Sequence, residues 1–389
     1  MQHQGNTSRR VLVVGGGIAG FAMMRALDQR GIPAVLVDRL NGPPDVGLGL
    51  NLPGNAVRAL RDLGVGEELK ERGVPVRRRE YRNASNRLLF AIDEAGFWGA
   101  DAGSICALRG DVLELLRSGV SASAVRWGTT VSAVSERGQQ VEVGFPDTDA
   151  ESYDFVVGAD GVHSGVRTSV LGRGGRRTAL LSAAGWRFMT TNPGVECWSS
   201  WTGPTETFFL IPVDGERVYG YASPTKGRPV DTDPQWLRST FGDYPEHVRS
   251  AVSSVLAEPS SLYHSPIEEI RLDSWHRSRV VLIGDAAHAT APVWAQGAAL
   301  AAEDALVLAE LLATRDDWAT VGGEFERRRR PRVEHVQKMT DRLSRTAGLP
   351  GWLRDAILPV VGPRTYRETF GPLREAVVTS RYDGTSATP

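Results

Sequence analysis

The stretch VLVVGGGIAGFAMMRAL, residues 11–27, joins a β-branched run to a helical pattern through a glycine-rich turn. Val11 to Val14 reads as a short strand. Ile18 to Arg30 carries helical spacing that Gly31 and Pro33 stop, and Ala34 to Val37 resumes an apolar strand pattern. This is a βαβ unit with Gly15, Gly17 and Gly20 spaced as GxGxxG at its first turn. Gly15 permits the tight turn, Gly17 lets a pyrophosphate approach the backbone, and Gly20 lets helix and strand pack closely. Asp38, at the end of the second strand, can accept hydrogen bonds from an adenosine ribose. The motif implies a dinucleotide and leaves NAD and FAD undistinguished.

Two later stretches narrow the choice. VVGADGVHSGVR, Val156 to Arg167, places Asp160 and Gly161 at the end of an apolar strand. VVLIGDAAHATAPVWAQGAALAAEDA, Val280 to Ala305, places Gly284 and Asp285 at the end of another, followed by Pro292 and by Gln296 and Gly297 at the opening of a helix. A carboxylate at a strand's C-terminal end can hold a polyol such as ribityl. Free N–H groups at a helix start favour negative charge on a nearby ligand.

In this order, GGGIAG, GADGVHSGVR and GDAAH…P…QG…ED resemble the FAD-dependent aromatic hydroxylases, the group A flavoprotein monooxygenases typified by salicylate and p-hydroxybenzoate hydroxylases. GLGLNLPGNAVRALRDLG from Gly47, Arg109 in LRGDVLELL, and ERRRRPRVEHVQ are similar to further segments of that family. The resemblance implies that Gly15, Gly17, Ile18, Ala19 and Gly20 face the FAD pyrophosphate and Asp38 the ribose. Arg39, Arg109 and Val131 would make further FAD contacts. Asp160 would serve FAD and NAD(P)H, Gly284 and Asp285 the ribityl and pyrophosphate region, and Pro292, Gln296, Gly297 and Ala298 the flavin's pyrimidine edge. It also implies NAD(P)H as co-substrate and O2 as oxidant, with a C4a-hydroperoxyflavin hydroxylating or epoxidising an electron-rich ring or alkene. The family commonly has Gly at the position of Ala295 and Asn at that of Ala299. If position 295 needs positive φ, alanine is strained there.

The implied fold class is α/β: a Rossmann-like FAD-binding domain, an inserted antiparallel β-sheet substrate domain and a helical C-terminal region. Residues 1–177 and 271–317 are expected to form the FAD-binding domain, 178–270 the substrate sheet and 318–389 the helical region, with SRYDGTSATP as a loose tail. The aromatic-rich middle segment offers Trp186, Arg187, Phe209 and Tyr221 as pocket candidates, and Trp294 precedes the presumed flavin-edge turn.

A net charge of -1 gives no electrostatic reason to expect nucleic acid or an anionic membrane as partner, so the expected partner is a small molecule. Cys106 and Cys197 lack CxxC spacing, which speaks against a disulfide framework or zinc site and for a reducing compartment. No apolar leader or membrane-spanning run is evident, so a cytoplasmic protein is expected. His288 reads as a brace for the GD turn at least as readily as a general base, and His163 as exposed. Arg327 to Arg330 reads as a solvated or ion-paired helix face. No catalytic base is identifiable, and oligomeric state is left open. A flavin dehydrogenase or reductase without oxygenation, or a noncatalytic flavin-binding protein, stand as alternatives. WSSW at Trp198 to Trp201 departs from the halogenase pattern WxWxIP.

Overall fold

The computed structural model describes residues 9–43, 47–99, 102–146, 148–225, 231–346 and 349–378, so the expected loose tail lies outside the described residues. Strand Val11–Val14 sits inside a six-stranded sheet, hydrogen-bonded in parallel to Ala34–Val37 on one side and Phe155–Gly158 on the other. Val280–Leu282 continues the parallel set beyond Phe155–Gly158. All four strands end on the same side, where the three motifs follow. That is the crevice at which open α/β sheets bind ligands.

Helix Gly297–Thr314 follows the third motif and packs beside helix Ile18–Asp28. It is apolar on nearly every side, as a helix enclosed by protein must be, and the pair Glu303 and Asp304 interrupts that surface in its middle. Helices Val321–Thr346 and Gly351–Phe370 follow it.

The second large sheet has seven strands in the order Leu262–Pro266, Ala184–Thr191, Arg217–Pro224, Glu206–Pro212, Trp198–Thr202, Arg78–Asn83 and Leu88–Asp93. Its last two strands come from outside the expected 178–270 segment, and Trp198–Thr202 pairs with Arg78–Asn83 in parallel. The sheet is thus mainly antiparallel and assembled from two separate parts of the chain. Strand recruitment across about 100 residues depends on edge pairing, which local periodicity does not encode. Helices Gln235–Phe241 and Glu246–Ala257 cover one face and build a core from Trp186, Phe188, Trp201, Phe208 and Leu210. The opposite face turns toward the flavin-type domain. At the far end, buried Arg79 pairs with Glu94, which also accepts from Ser104 and Tyr366 and so ties the sheet to the last long helix. Among the described residues no helix is long and apolar enough to cross a membrane.

Candidate active site

Each glycine of the first motif has a distinct geometric reason. Gly15 has φ +113°, and a Cβ there would lie 2.4 Å from the Ala159 carbonyl oxygen. A Cβ at Gly20 would lie 1.8 Å from the Gly15 carbonyl oxygen, so helix and turn could not close. Gly17 has nothing within 4 Å of its absent Cβ, leaving open space at the helix start. Ile18 and Ala19 open that helix. The Asp38 carboxylate accepts from Gly16 N–H at 2.5 Å and Leu40 N–H at 2.8 Å, which fixes it beside the turn. Arg39 is exposed next to it, and Val131 is half-buried in the loop beyond strand Val125–Arg126.

The second motif lies under the first, through the contact of Gly15 with Ala159 and Asp160. The Asp160 side chain is already occupied: it accepts from Ser164 Oγ at 2.5 Å, Gly165 N–H at 2.7 Å and Val166 N–H at 3.1 Å, capping helix Gly165–Leu171. Arg167 on that helix donates to the Ala286 carbonyl at 2.9 Å and so ties the second motif to the third.

In the third motif Gly284 has φ +57°, and a Cβ there would meet the Ala19 and Ala301 methyl groups at 3.0 and 3.3 Å. Gly284 N–H donates to Asp304 at 2.9 Å, and the His288 ring shares a 2.7 Å hydrogen bond with the same oxygen. His288 is buried against Trp275 and braces the turn through its bond to Asp304. Ala295 has φ +55°, so alanine does occupy a left-handed position. The Gln296 side chain turns inward into a reciprocal pair with Asn55, at 2.9 and 3.2 Å, so only its backbone is offered to the crevice. After Pro292 and this turn, the helix starting at Gly297 and Ala298 has no side-chain cap.

Asp285 is different: no hydrogen bond or ion pair engages its carboxylate among the described residues. It is open to water from the crevice and crowded by protein on its other sides, with one oxygen 3.9 Å from where a Gly297 Cβ would be. That crowding pushes its pKa above the ordinary carboxylate range, and the charges of His288, Arg109 and Arg187 oppose it. Arg109 is exposed at the start of helix Arg109–Ser118. An open glycine, a free carboxylate, an unpaired guanidinium and an uncapped helix start together fit a dinucleotide with a pyrophosphate and a polyol.

The pocket candidates divide by strand parity. Arg187, Phe209 and Tyr221 lie on the sheet face toward the crevice, and Trp186 lies on the opposite face in the helix-covered core, its ring tilted against that of His264. Trp186 is therefore no pocket residue; one step along a strand reverses the face. Trp294 is 8 % exposed and packs against Phe370 at 6.0 Å, which makes it chiefly part of the core joining the last helix to the turn. Sequence reasoning missed Trp198, Tyr81 and Tyr219. Tyr221, Phe209, Trp198 and Tyr81 form a row with ring centroids 4.9, 5.6 and 5.0 Å apart. Tyr221 also shares a small buried cluster with Ala179, Ile267 and Ala291, the last of which directly precedes the Pro292 turn. Burial pushes the Tyr219 phenol up to about 12 and Tyr221 upward too, so both remain protonated near neutral pH.

The Arg327 to Arg330 run is ion-paired as expected, Arg328 with Glu310 and Arg330 with Glu326, but it is not one face. Arg327 and Arg328 are exposed, but Arg329 is 1 % exposed and pairs with Asp304 at 2.7 Å and Glu303 at 2.9 Å. Consecutive helical residues are about 100° apart, so four in a row cannot share one solvated face.

Comparison with known proteins agrees with this geometry. Residues 8–340 match the model of the family described as FAD binding domain. The chain is 30% identical over 369 residues to 2-heptyl-3-hydroxy-4(1H)-quinolone synthase of Pseudomonas aeruginosa, covering 90% of this chain and 94% of that protein. It is 32% identical over 358 residues to 3-amino-4-hydroxybenzoate 2-monooxygenase of Streptomyces cremeus, covering 88% of each. The fold is similar to that of Klebsiella pneumoniae HpxO complexed with FAD and uric acid, with a TM-score of 0.80, 23% identity, and 94% and 92% of the two chains covered. The chain belongs to the FAD-binding domain family and is an FAD-dependent monooxygenase of the group its motifs resemble.

Proposed function

We propose that the protein uses NAD(P)H and O2 to hydroxylate or epoxidise an aromatic or polycyclic small molecule, with the ring held between the flavin-edge turn and the aromatic face of the seven-stranded sheet. The observation that carries this reading is the small buried cluster that Tyr221 shares with Ala179, Ile267 and Ala291, the last directly before the Pro292 turn, at the end of the row Tyr221, Phe209 and Trp198. The printed names of the two curated relatives, a quinolone synthase and an aminohydroxybenzoate monooxygenase, support a ring substrate.

FAD, when bound, accepts hydride from NAD(P)H and activates O2. Gly15, Gly17, Ile18, Ala19 and Gly20 would receive its pyrophosphate, Asp38 and Arg39 its adenosine part, and Arg109, Val131 and Asp285 further groups. The turn Ala159–Asp160 would contribute its backbone and position, since its carboxylate is occupied by the helix cap. The uncapped N–H groups at Gly297 and Ala298 would stabilise negative charge at the flavin edge. The phenols of Tyr219 and Tyr221, protonated near neutral pH, would orient a substrate oxygen rather than accept its proton. The functional division then assigns 1–177 and 271–317 to the cofactor, 178–270 together with strands 78–93 to the substrate, and 318–389 to bracing. Cys106 and Cys197 are unpaired, which suits a cytoplasmic setting.

The test is a spectrum of the purified protein, then parallel measurement of NAD(P)H and O2 consumption and product mass across hydroxybenzoates, phenols and quinolones. Stimulated consumption with one oxygen atom gained by the ring compound is expected. NAD(P)H oxidation that reduces a ring compound without O2 uptake would favour a reductase, and a protein that binds no flavin would overturn the reading.

A further inference from the structure

The turn that leads into helix Gly297–Thr314 is held from its protein side. Ala295 sits in the left-handed region at φ +55°, and the next residue, Gln296, is 0% exposed. Helix Gly54–Asp62 packs against helix Gly297–Thr314 and brings Asn55, its second residue and 1% exposed, to the same spot. Asn55 Nδ2 donates to Gln296 Oε1 at 2.9 Å, and Gln296 Nε2 donates back to Asn55 Oδ1 at 3.2 Å. Asn55 Nδ2 also donates to Glu303 at 3.1 Å, two turns further along the helix, and Glu303 receives Arg329 at 2.9 Å and Arg332 at 2.7 Å.

These bonds can run only one way. A carboxylate paired with two arginines accepts and does not donate, so Glu303 fixes which end of the Asn55 amide faces it, and Asn55 in turn fixes the Gln296 amide. The helix is otherwise apolar, and apolar side chains would fill this space without burying two amides. What the amide pair adds is direction. It holds the backbone at residue 296 in one orientation, against the relaxation that a left-handed alanine invites. The N–H groups of Gly297 and Ala298, which have no side-chain cap, follow directly and take their aim from it. We infer that Asn55 is a positioning residue for the flavin: acting through Gln296, it holds the helix start at the flavin edge and so sets how strongly the protein favours reduced over oxidised FAD. Reduction adds two electrons and one proton to FAD and leaves negative charge at that edge, where aligned N–H groups are most effective. This rests on the flavin-edge assignment in the reading above and adds to it a residue outside the three motifs.

The test uses the FAD-loaded protein and reads the flavin midpoint potential by anaerobic equilibration with an indicator dye, without substrate or turnover. Asn55→Ala should lower the ratio of affinities for reduced over oxidised FAD about 10-fold, a shift of about 30 mV toward negative potential for a two-electron couple, while oxidised FAD stays bound. Gln296→Met, which keeps the side-chain volume, should give a similar shift, and it decides the matter should Asn55→Ala fail to fold. The double variant should shift no further than the larger single one. An unchanged potential in the folded variants, shifts that add in the double variant, or equal weakening of oxidised and reduced FAD, the mark of a merely structural support, would overturn the inference. O2-dependent hydroxylation by the unaltered protein alongside such a failure would leave the monooxygenase reading standing; an unaltered protein that binds no flavin would remove both.

Discussion

Replacing Arg329 with Met removes the cation that, among the described residues, bridges Asp304 and Glu303 inside the core, leaving Glu303 with Arg332 at 2.7 Å and Asp304 with the His288 ring at 2.7 Å. Arg329, Asp304 and Glu303 are 1 %, 0 % and 2 % exposed, so water cannot substitute for the lost guanidinium. Breaking a buried pair from one side typically costs about 3–5 kcal/mol, because the remaining charge stays desolvated. At about 2.1 cal/mol/K per residue, the unfolding entropy of this 389-residue chain is about 0.8 kcal/mol/K near the melting temperature. The expected drop in Tm is therefore about 4–6 °C.

The deficit should also depend on pH in a stated direction. In the native protein burial pushes the Asp304 pKa up, but His288, Arg329 and the Gly284 N–H outweigh it and hold it below the ordinary range. Its contribution to stability is thus present above the unfolded carboxylate pKa, about 3.9, and is lost as pH falls through the lower folded value. Without Arg329 the folded pKa climbs, and protonation of Asp304 then relieves the penalty, so the variant's deficit should be larger at pH 8 than at pH 5.5. Thermal unfolding at the two pH values with matched FAD reads this directly. A double variant with Asp304→Asn should lose less than the sum of its parts. A deficit under about 1 kcal/mol, the same at both pH values and additive with Asp304→Asn, would refute the claim that this pair holds the turn.

The glycine motif yields a paired prediction: Gly17→Ala should change apoprotein stability by no more than about 1 kcal/mol, yet weaken FAD binding about 10- to 100-fold by filling open space at the helix start. Gly20→Ala, whose Cβ would sit 1.8 Å from backbone, should cost the fold itself about 3 kcal/mol, read by urea titration without FAD. Asp285→Ala should leave the fold intact and lower FAD affinity about 10- to 100-fold, measured by flavin retained after dialysis; full retention contradicts its assignment. Ala295→Gly should raise stability by up to about 1 kcal/mol, since relief of left-handed strain is partly offset by a more flexible unfolded chain. A measured loss would mean that the alanine methyl contributes more by packing than its backbone costs.

How far the sequence reached depended on whether the deciding physics was local. The three glycines and Gly284 were legible because each is required by a turn formed within a few residues, and the positive φ suspected at Ala295 followed from that same local turn. The face chosen by Trp186 or Arg187 was not legible, because parity is set by register with Arg217–Pro224, some 30 positions away. The strands at Arg78–Asp93 were missed for the same reason: they complete a sheet whose other strands begin about 100 residues later. Arg329 left a signal that was not used. Two adjacent acids in a helix otherwise apolar on all sides demand a buried cation, and the arginine run supplied it.

The aspartates of the three motifs sort themselves by what their oxygens already hold. Asp160 receives Ser164 Oγ and two backbone N–H groups; Asp304 receives Gly284 N–H, the His288 ring and Arg329. Both are complete, and adding a ligand would displace a bond that the fold needs. Asp38 holds two backbone N–H groups and keeps lone pairs for one more donor. Asp285 holds nothing among the described residues, although it lies on the same turn that Asp304 fixes. Exposed to the crevice, it meets its hydrogen-bonding needs through solvent, and on the proposed reading a hydroxyl-bearing cofactor would take the place of that water. The same sorting separates Arg167 and Arg329, whose donors are taken, from exposed Arg109 and half-buried Arg187, which no hydrogen bond or ion pair engages among the described residues. Groups left unsatisfied on a satisfied frame are where a ligand's donors and acceptors would be met, and on the proposed reading Asp285 and Arg109 would meet those of the cofactor.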